Sequence, residues 1–86
     1  MVTKMQREIM LDLLAYGPDS PSNISDRIGR TRSGVSTALS DLVGEDFVCS
    51  KGRGVWSLTF VGVRAAQAIA TDRDLNPYRD SDPDPD

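Results

Sequence analysis

Apolar residues recur at helical spacing over the first sixteen positions of the chain. Because they are three or four residues apart, they fall on one side of a helix. Gly17-Pro18 follows, and since Gly suits the position after a helix and Pro cannot continue one, this helix is expected to end at Tyr16. The predicted first helix covers residues 1–16, and its stripe consists of Val2, Met5, Ile9 and Leu13.

The next segment of the chain predicts two helices joined by a tight turn. Ser20 before Pro21 is typical of an N-cap and a first helical residue, and Gly29 closes a short helix over about residues 21–28. A longer helix over residues 30–43 begins at once, with the apolar stripe Val35, Leu39 and Leu42. Two helices with a Gly-containing turn between them indicate a helix-turn-helix.

The opposite face of that longer helix carries small hydroxyl side chains. Surface helices more often use Glu, Lys and Gln, which favour helix formation better than Ser does. Short hydroxyls allow close approach and can hydrogen-bond phosphates or base edges, so the row favours a nucleic-acid contact over a merely solvated face. Thr31 is the candidate N-cap, and the row consists of Ser33, Ser36, Thr37 and Ser40.

Two short strand-like runs come next and predict a β-hairpin. The runs cover residues 47–50 and 55–58, and Lys51-Gly52-Arg53-Gly54 lies between them. The two glycines supply the positive φ values of a tight hairpin, and the two cations lie at its tip. Trp56 is expected to pack on the core rather than to stack on a base.

A fourth helix, capped by Thr59, is predicted over residues 60–71 and is apolar on nearly every side. Such a helix is normally buried on more than one face, which a chain of 86 residues can scarcely achieve. A homodimer interface explains it, and an exposed alanine-rich helix is the alternative. The expected interface residues are Met5, Phe60, Val61, Ala65, Ala68 and Ile69.

The net charge of −3 is unevenly distributed. Residues 1–71 hold eight basic and seven acidic side chains, whereas residues 72–86 hold six aspartates and two arginines. The latter segment is therefore predicted to be an acidic tail that is disordered or loosely attached. Five of the eight basic residues lie between Arg27 and Arg53, which indicates an electrostatic footprint for nucleic acid.

The amino-acid composition excludes several classes of functional site and suggests a cellular environment. The chain has no histidine and one cysteine, Cys49, which argues against hydrolytic triads, zinc sites and an internal disulfide; we expect neither an enzyme nor a cofactor. With no apolar run of membrane-spanning length and no signal peptide, a cytoplasmic location without a membrane partner is expected. Aspartate outnumbers glutamate eleven to two, which suggests a salty cytoplasm or, alternatively, chance bias in a short chain.

These elements, in this order, resemble the winged helix-turn-helix domain, an α+β and mostly α fold. The resemblance covers residues 3–71 and rests on Ile28-Gly29, Ser33-Gly-Val-Ser-Thr-Ala-Leu-Ser-Asp-Leu, Asp46-Phe-Val and Gly54-Val-Trp-Ser-Leu-Thr. The chain is similar to MarR and ArsR transcriptional regulators and to small repressor-like proteins of haloarchaea and their viruses. Such a domain has three helices, a two-stranded hairpin called the wing, and a C-terminal helix.

The resemblance implies a role for each candidate residue. The third helix enters the major groove with Arg32, Ser33, Ser36, Thr37 and Ser40, and Arg30 meets a phosphate. The wing tip touches the minor groove or backbone with Lys51 and Arg53. The chain lacks the long terminal helices on which MarR proteins dimerise, and the Cys pairs or His clusters of metal-sensing ArsR proteins, so no small-molecule effector is expected.

The sequence therefore predicts a sequence-specific, double-stranded-DNA-binding transcriptional regulator, a homodimer that represses by occupying its site. The alternative is a winged helix used for protein interaction, which docks a larger partner through its apolar fourth helix.

Overall fold

The computed structural model describes residues 2–72 and 74–77 of the chain. Helix α1 (Lys4–Tyr16) packs against each of the other helices, and the two strands form one antiparallel hairpin. The architecture is the predicted α+β, mostly α winged helix-turn-helix. The remaining elements are α2 (Pro21–Ile28), α3 (Arg32–Gly44), β1 (Val48–Gly52), β2 (Val55–Leu58) and α4 (Phe60–Thr71).

Hydroxyl caps determine where the helices begin. The side chains of Ser20, Thr31 and Thr59 each accept the backbone N–H three residues on, which confirms all three predicted N-caps. Helix α1 begins at Lys4 rather than at residue 1, because Thr3 and Gln6 form a capping box. The Thr3 hydroxyl accepts from the Gln6 N–H at 3.1 Å, and the Gln6 side chain accepts from the Thr3 N–H at 3.0 Å.

The core lies between α1 and the helix-turn-helix. Its six largest fully buried side chains come from α1, α2 and α3, so each of these helices contributes one apolar stripe to the same interior. The predicted stripe of α3 is buried as expected. These six residues are Ile9, Met10, Ile24, Val35, Leu39 and Leu42.

The hairpin is fastened to the chain between α1 and α2. In its register Val48 faces Leu58 and Ser50 faces Trp56, and Trp56 packs half-buried on the core, as predicted. The Trp56 N–H also donates to the Asp19 carbonyl at 2.8 Å, and the Asp19 N–H donates back at 3.0 Å. Asp19 thus pairs with the hairpin as a one-residue bridge beside β2. This bridge was not predicted, because a single paired residue gives no periodic pattern in the sequence.

Helix α4 approaches the loop between α3 and β1 very closely at Gly62. The Thr59 N–H donates to the Phe47 carbonyl at 3.0 Å and the Thr59 hydroxyl to the Asp46 carbonyl at 2.6 Å. One turn later Gly62 lies directly over the Phe47 carbonyl, so that a Cβ at position 62 would overlap that oxygen. A glycine is therefore required where α4 crosses this loop.

The first residues beyond α4 return to that helix. Asn76 and Pro77 are buried, and the Asn76 side-chain amide donates to the Ala70 carbonyl at 3.2 Å. Asn76 thus contacts α4, while Asp74 and Leu75 are exposed. Residues 73 and 78–86 of the predicted tail lie outside the described residues, and its disorder stays a prediction. In the described part of the chain, no helix is long and apolar enough to cross a membrane.

The close approach at Gly62 predicts a strong steric effect. Gly62→Ala should lower the free energy of unfolding by about 3 kcal/mol, because the added methyl group forces α4 away from the Phe47 carbonyl. Gly44→Ala is the matched control, since nothing lies within 4 Å of its Cβ position. Chemical denaturation monitored by circular dichroism measures both, and equal stabilities of the two variants would contradict the packing at Gly62.

Candidate nucleic-acid interface

The burial of α3 on one side leaves its other side in solvent. Since Val35, Leu39 and Leu42 are fully buried, the residues on the opposite side of the helix face outward. All four hydroxyl residues are exposed, and within residues 2–72 and 74–77 none of their hydroxyls hydrogen-bonds another residue. We call this surface the α3 outer face; it consists of Ser33, Ser36, Thr37 and Ser40, with exposed Arg32 at its edge.

The charge along α3 runs from positive to negative. Arg32 is exposed in the first turn, whereas Asp41, Glu45 and Asp46 are exposed at the C-terminal end and beyond it. A polyanion is therefore favoured at the N-terminal half of the α3 outer face and disfavoured at the other end.

The hairpin tip presents two further cations. Arg53 and Gly54 both have positive φ, 57° and 75°, as in a two-residue hairpin turn. Arginine rarely adopts this backbone conformation, so its presence at the exposed tip is consistent with a functional side chain there. Lys51 precedes it and is also exposed.

Two of the five basic residues in the predicted footprint are engaged inside the molecule. Arg27 donates to both carboxylate oxygens of Asp12 at 2.9 and 2.8 Å and also pairs with Asp19 at 2.9 Å. Arg30, for which a phosphate contact is predicted, pairs with Glu8. In the described structure Arg32, Lys51 and Arg53 form no ion pair, and these three carry the unpaired positive charge of the footprint.

Asp19 joins the ion pairs to the wing. Its backbone pairs with Trp56 in β2, while its carboxylate accepts from the side chain of Asn23 at 2.8 Å and from the Ser20 N–H at 2.7 Å. These hydrogen bonds, with that from Arg27, lower the pKa of the Asp19 carboxyl below its ordinary value of 3.8. The carboxylates of Asp12 and Asp19 in turn raise the pKa of Arg27.

The predicted dimer residues do not form one surface. Ile69 is 6% exposed within a single chain, and Ala65 packs half-buried on the same core, because the side of α4 that carries them faces α1. Met5 lies under the first turn of α3, with its Cε 3.3 Å from the Cβ position of Gly34. Within a single chain Ile69 is therefore buried and Met5 half-buried, and the dimer interface itself stays a prediction.

The outward side of α4 nevertheless remains partly apolar. Phe60 is 77% exposed and Val61 47%, and Ala68 is exposed on the same side. The Arg64 guanidinium lies 5.9 Å from the centre of the Phe60 ring. These four residues, which we call the α4 outer face, are the part of the predicted interface that is accessible.

A cavity of about 460 Å³ opens between the C-terminal ends of α1 and α4. Leu11, Leu14 and Ala70 line it with Tyr16, whose ring lies 4.6 Å from the Arg27 guanidinium. It contains none of the predicted DNA-contacting residues. Among the described residues, no three Cys, Asp or Glu side chains are grouped so that they could hold a metal ion.

Solved structures share this architecture. The wild-type ZitR structure from Lactococcus lactis is 27% identical, with a TM-score of 0.75 over 93% of this chain and 58% of that chain. ZitR in complex with DNA gives 26% identity and a TM-score of 0.70, over 93% of this chain and 60% of that one. The adhesin competence repressor AdcR from Streptococcus pyogenes is 21% identical, with a TM-score of 0.70 over 92% of this chain and 64% of that chain.

This chain has the winged-helix fold of those proteins. It spans about three fifths of their length. No protein-family model and no curated protein sequence matches it. The more specific resemblance to MarR, ArsR and haloarchaeal proteins stays a prediction.

The lowered pKa of Asp19 predicts a pH-dependent contribution to stability. A carboxyl whose pKa is lower in the folded than in the unfolded state stabilises the fold above its unfolded pKa, and loses this effect as the pH falls through the folded value. Asp19→Asn should therefore lower the melting temperature at pH 6, and the difference from the wild type should shrink towards pH 3. Thermal unfolding between pH 6 and pH 3 measures this, and a constant difference would contradict the role of the carboxylate.

Proposed function

We propose that this chain is a sequence-specific, double-stranded-DNA-binding transcriptional regulator that represses by occupying its site. The observation that carries the proposal is the α3 outer face: four exposed hydroxyls that no described residue engages, with Arg32 at its edge. Groups of this kind hydrogen-bond phosphates and base edges in a major groove that is wide enough to admit a helix.

The distribution of charge supports an orientation of α3 on the duplex. Arg32 at the start of the helix would approach a phosphate or a base edge, and the acidic C-terminal end would point away from the backbone. Lys51 and Arg53 at the wing tip would supply the second contact, in the adjacent minor groove or on the backbone. The DNA complex of ZitR, which shares the fold, is further support.

A homodimer follows from the shape of the target and from α4. A twofold dimer presents two recognition helices about 34 Å apart, on successive turns of the major groove. The α4 outer face offers an apolar surface on which two copies could meet. We also propose a cytoplasmic location, a place near the MarR and ArsR regulators, and a haloarchaeal or viral source.

Substitution of the recognition residues tests DNA selectivity. Arg32→Ala with Thr37→Ala should lower the affinity for every duplex through the lost contact of Arg32 with a phosphate. It should also reduce the preference for the DNA upstream of the protein's own gene over a scrambled duplex, since the base-edge contact of Thr37 contributes roughly 1–3 kcal/mol. Thr71→Ala is the matched control, because Thr71 is an exposed helical threonine whose hydroxyl bonds only its own helix. Competition mobility-shift assays measure the preference, and circular dichroism verifies the fold. An undiminished preference in the double variant would refute the proposed reading surface.

Substitution on α4 tests the dimer. The wild-type chain should sediment as a dimer, and Phe60→Glu should convert it to a monomer, because a charge then lies in the apolar contact. Val43→Glu is the matched control, because it adds the same charge at an exposed apolar residue of α3, away from the α4 outer face, and it should leave the dimer intact. A monomeric wild-type chain would contradict the dimer and favour the alternative function, in which the exposed Phe60 docks a larger partner.

A further inference from the structure

Arg30 makes a two-pronged ion pair across the helix-turn-helix. Its Nε and Nη2 atoms donate to the two carboxylate oxygens of Glu8 at 2.9 and 3.2 Å. The Glu8 side chain is 11% exposed and that of Arg30 36%, so the carboxylate is the more buried member of the pair. A sheltered carboxylate without its cation is costly, which makes this geometry more than an incidental surface contact.

Because of the position of Arg30 in the chain, this ion pair affects the orientation of α3. It lies between Gly29, which ends α2 in the left-handed region at φ 71°, and Thr31, which caps α3. Its backbone N–H donates to the Ser25 carbonyl at 3.1 Å, so both its backbone and its side chain are held. The turn between α2 and α3 is therefore tethered to α1 immediately before α3 begins.

A second pair of the same type lies one turn away on α1. Arg27 makes the same bidentate contact with Asp12, four residues after Glu8. We call these four residues the α1–turn clamp. Its two arginines come from the helix-turn-helix and its two carboxylates from α1, so the clamp sets the orientation of the helix-turn-helix on α1.

We infer that Arg30 is a positioning residue, which orients the α3 outer face through Glu8 and does not bind a phosphate. The Nε–Nη2 edge of the Arg30 guanidinium is bound in a bidentate manner by the Glu8 carboxylate, which holds the side chain against α1. Arg32 lies two residues further on, is exposed and pairs with no described residue, and it takes the phosphate contact at the start of α3. This inference rests on the proposed DNA-binding function.

Glu8→Gln separates a positioning role of Arg30 from a phosphate-binding role, because the two roles predict opposite changes in DNA affinity. As a positioning pair, loss of the Glu8 charge should weaken selective DNA binding about fivefold, while the slope of log affinity against log salt stays unchanged. If Arg30 bound a phosphate, releasing it from Glu8 would leave affinity equal or higher, and Arg30→Gln would reduce the salt slope by about 1. Arg32→Gln is the matched variant in which that reduction of slope is expected. Mobility shifts from 50 to 200 mM salt measure all three.

The exchanged pair Glu8→Arg with Arg30→Glu is the rescue. If Arg30 acts by positioning, the double variant should bind more tightly than Arg30→Glu alone, since the ion pair is restored with its polarity reversed. If Arg30 binds phosphate, a carboxylate at position 30 repels DNA whatever stands at position 8, and no rescue follows. A Glu8→Gln variant that melts at a lower temperature but binds DNA as the wild type does would also overturn the inference.

A measurement without DNA keeps this inference distinct from the proposed function. Absence of selective binding by the wild-type chain would refute the function alone. In that case amide resonances decide the positioning role: Glu8→Gln should shift those of Thr31 to Gly34, whereas Asp26→Asn, at an exposed acid of α2, should not. Unshifted resonances at the start of α3 would overturn the clamp.

Discussion

The burial of one stripe of α3 against α1 is the constraint on which the rest of the structure depends. Val35, Leu39 and Leu42 are wholly inside, and a helix with one side so committed must present its opposite side to solvent. The hydroxyls of the α3 outer face are thus held at the surface by the packing of the apolar stripe, and they need no hydrogen bonds of their own within the chain. The same packing carries the hairpin that follows α3 and holds it beside the helix, where β1 contacts α3.

Much of this arrangement could be read from local patterns. The caps at Ser20, Thr31 and Thr59, the helix-ending Gly29 and the packing of Trp56 depend on residues close in sequence, so spacing was sufficient to predict them. The interactions that the sequence did not disclose are long-range. Glu8 is 22 residues from Arg30 and Asp12 is 15 from Arg27, and no periodicity reports such a pairing. Charge counted along the sequence therefore assigns both arginines to the DNA footprint, and the structure shows in addition that each forms an ion pair with α1.

The prediction for α4 shows a different limit. Composition alone made this helix apolar on every side, yet much of that apolar surface is used within one chain, where α4 and α1 pack closely and Ile69 enters the core. What remains for a partner is smaller and lies on the other side, around Phe60. Composition indicates how much apolar surface a helix has, and the packing of its neighbours decides which part of it stays accessible.

The reduced footprint changes how affinity must arise. With Arg27 and Arg30 in ion pairs within the chain, three cations without an ion pair among the described residues remain on the proposed surface, and long-range attraction to DNA is modest. In a cytoplasm of about 1 M salt the Debye length shrinks to about 3 Å, so that direct contacts carry most of the affinity. Short hydroxyls on a closely approaching helix suit those conditions, since a neutral hydrogen bond is less sensitive to screening than a distant charge pair.

The most direct test of this account is the titration of the isotopically labelled chain with a duplex from upstream of its own gene, followed by amide resonances. Contact through the α3 outer face and the wing predicts saturable shifts that cluster at residues 32–40 and 51–54, with residues 21–28 little changed. Shifts confined to the α4 outer face, or no saturable shift, would contradict it.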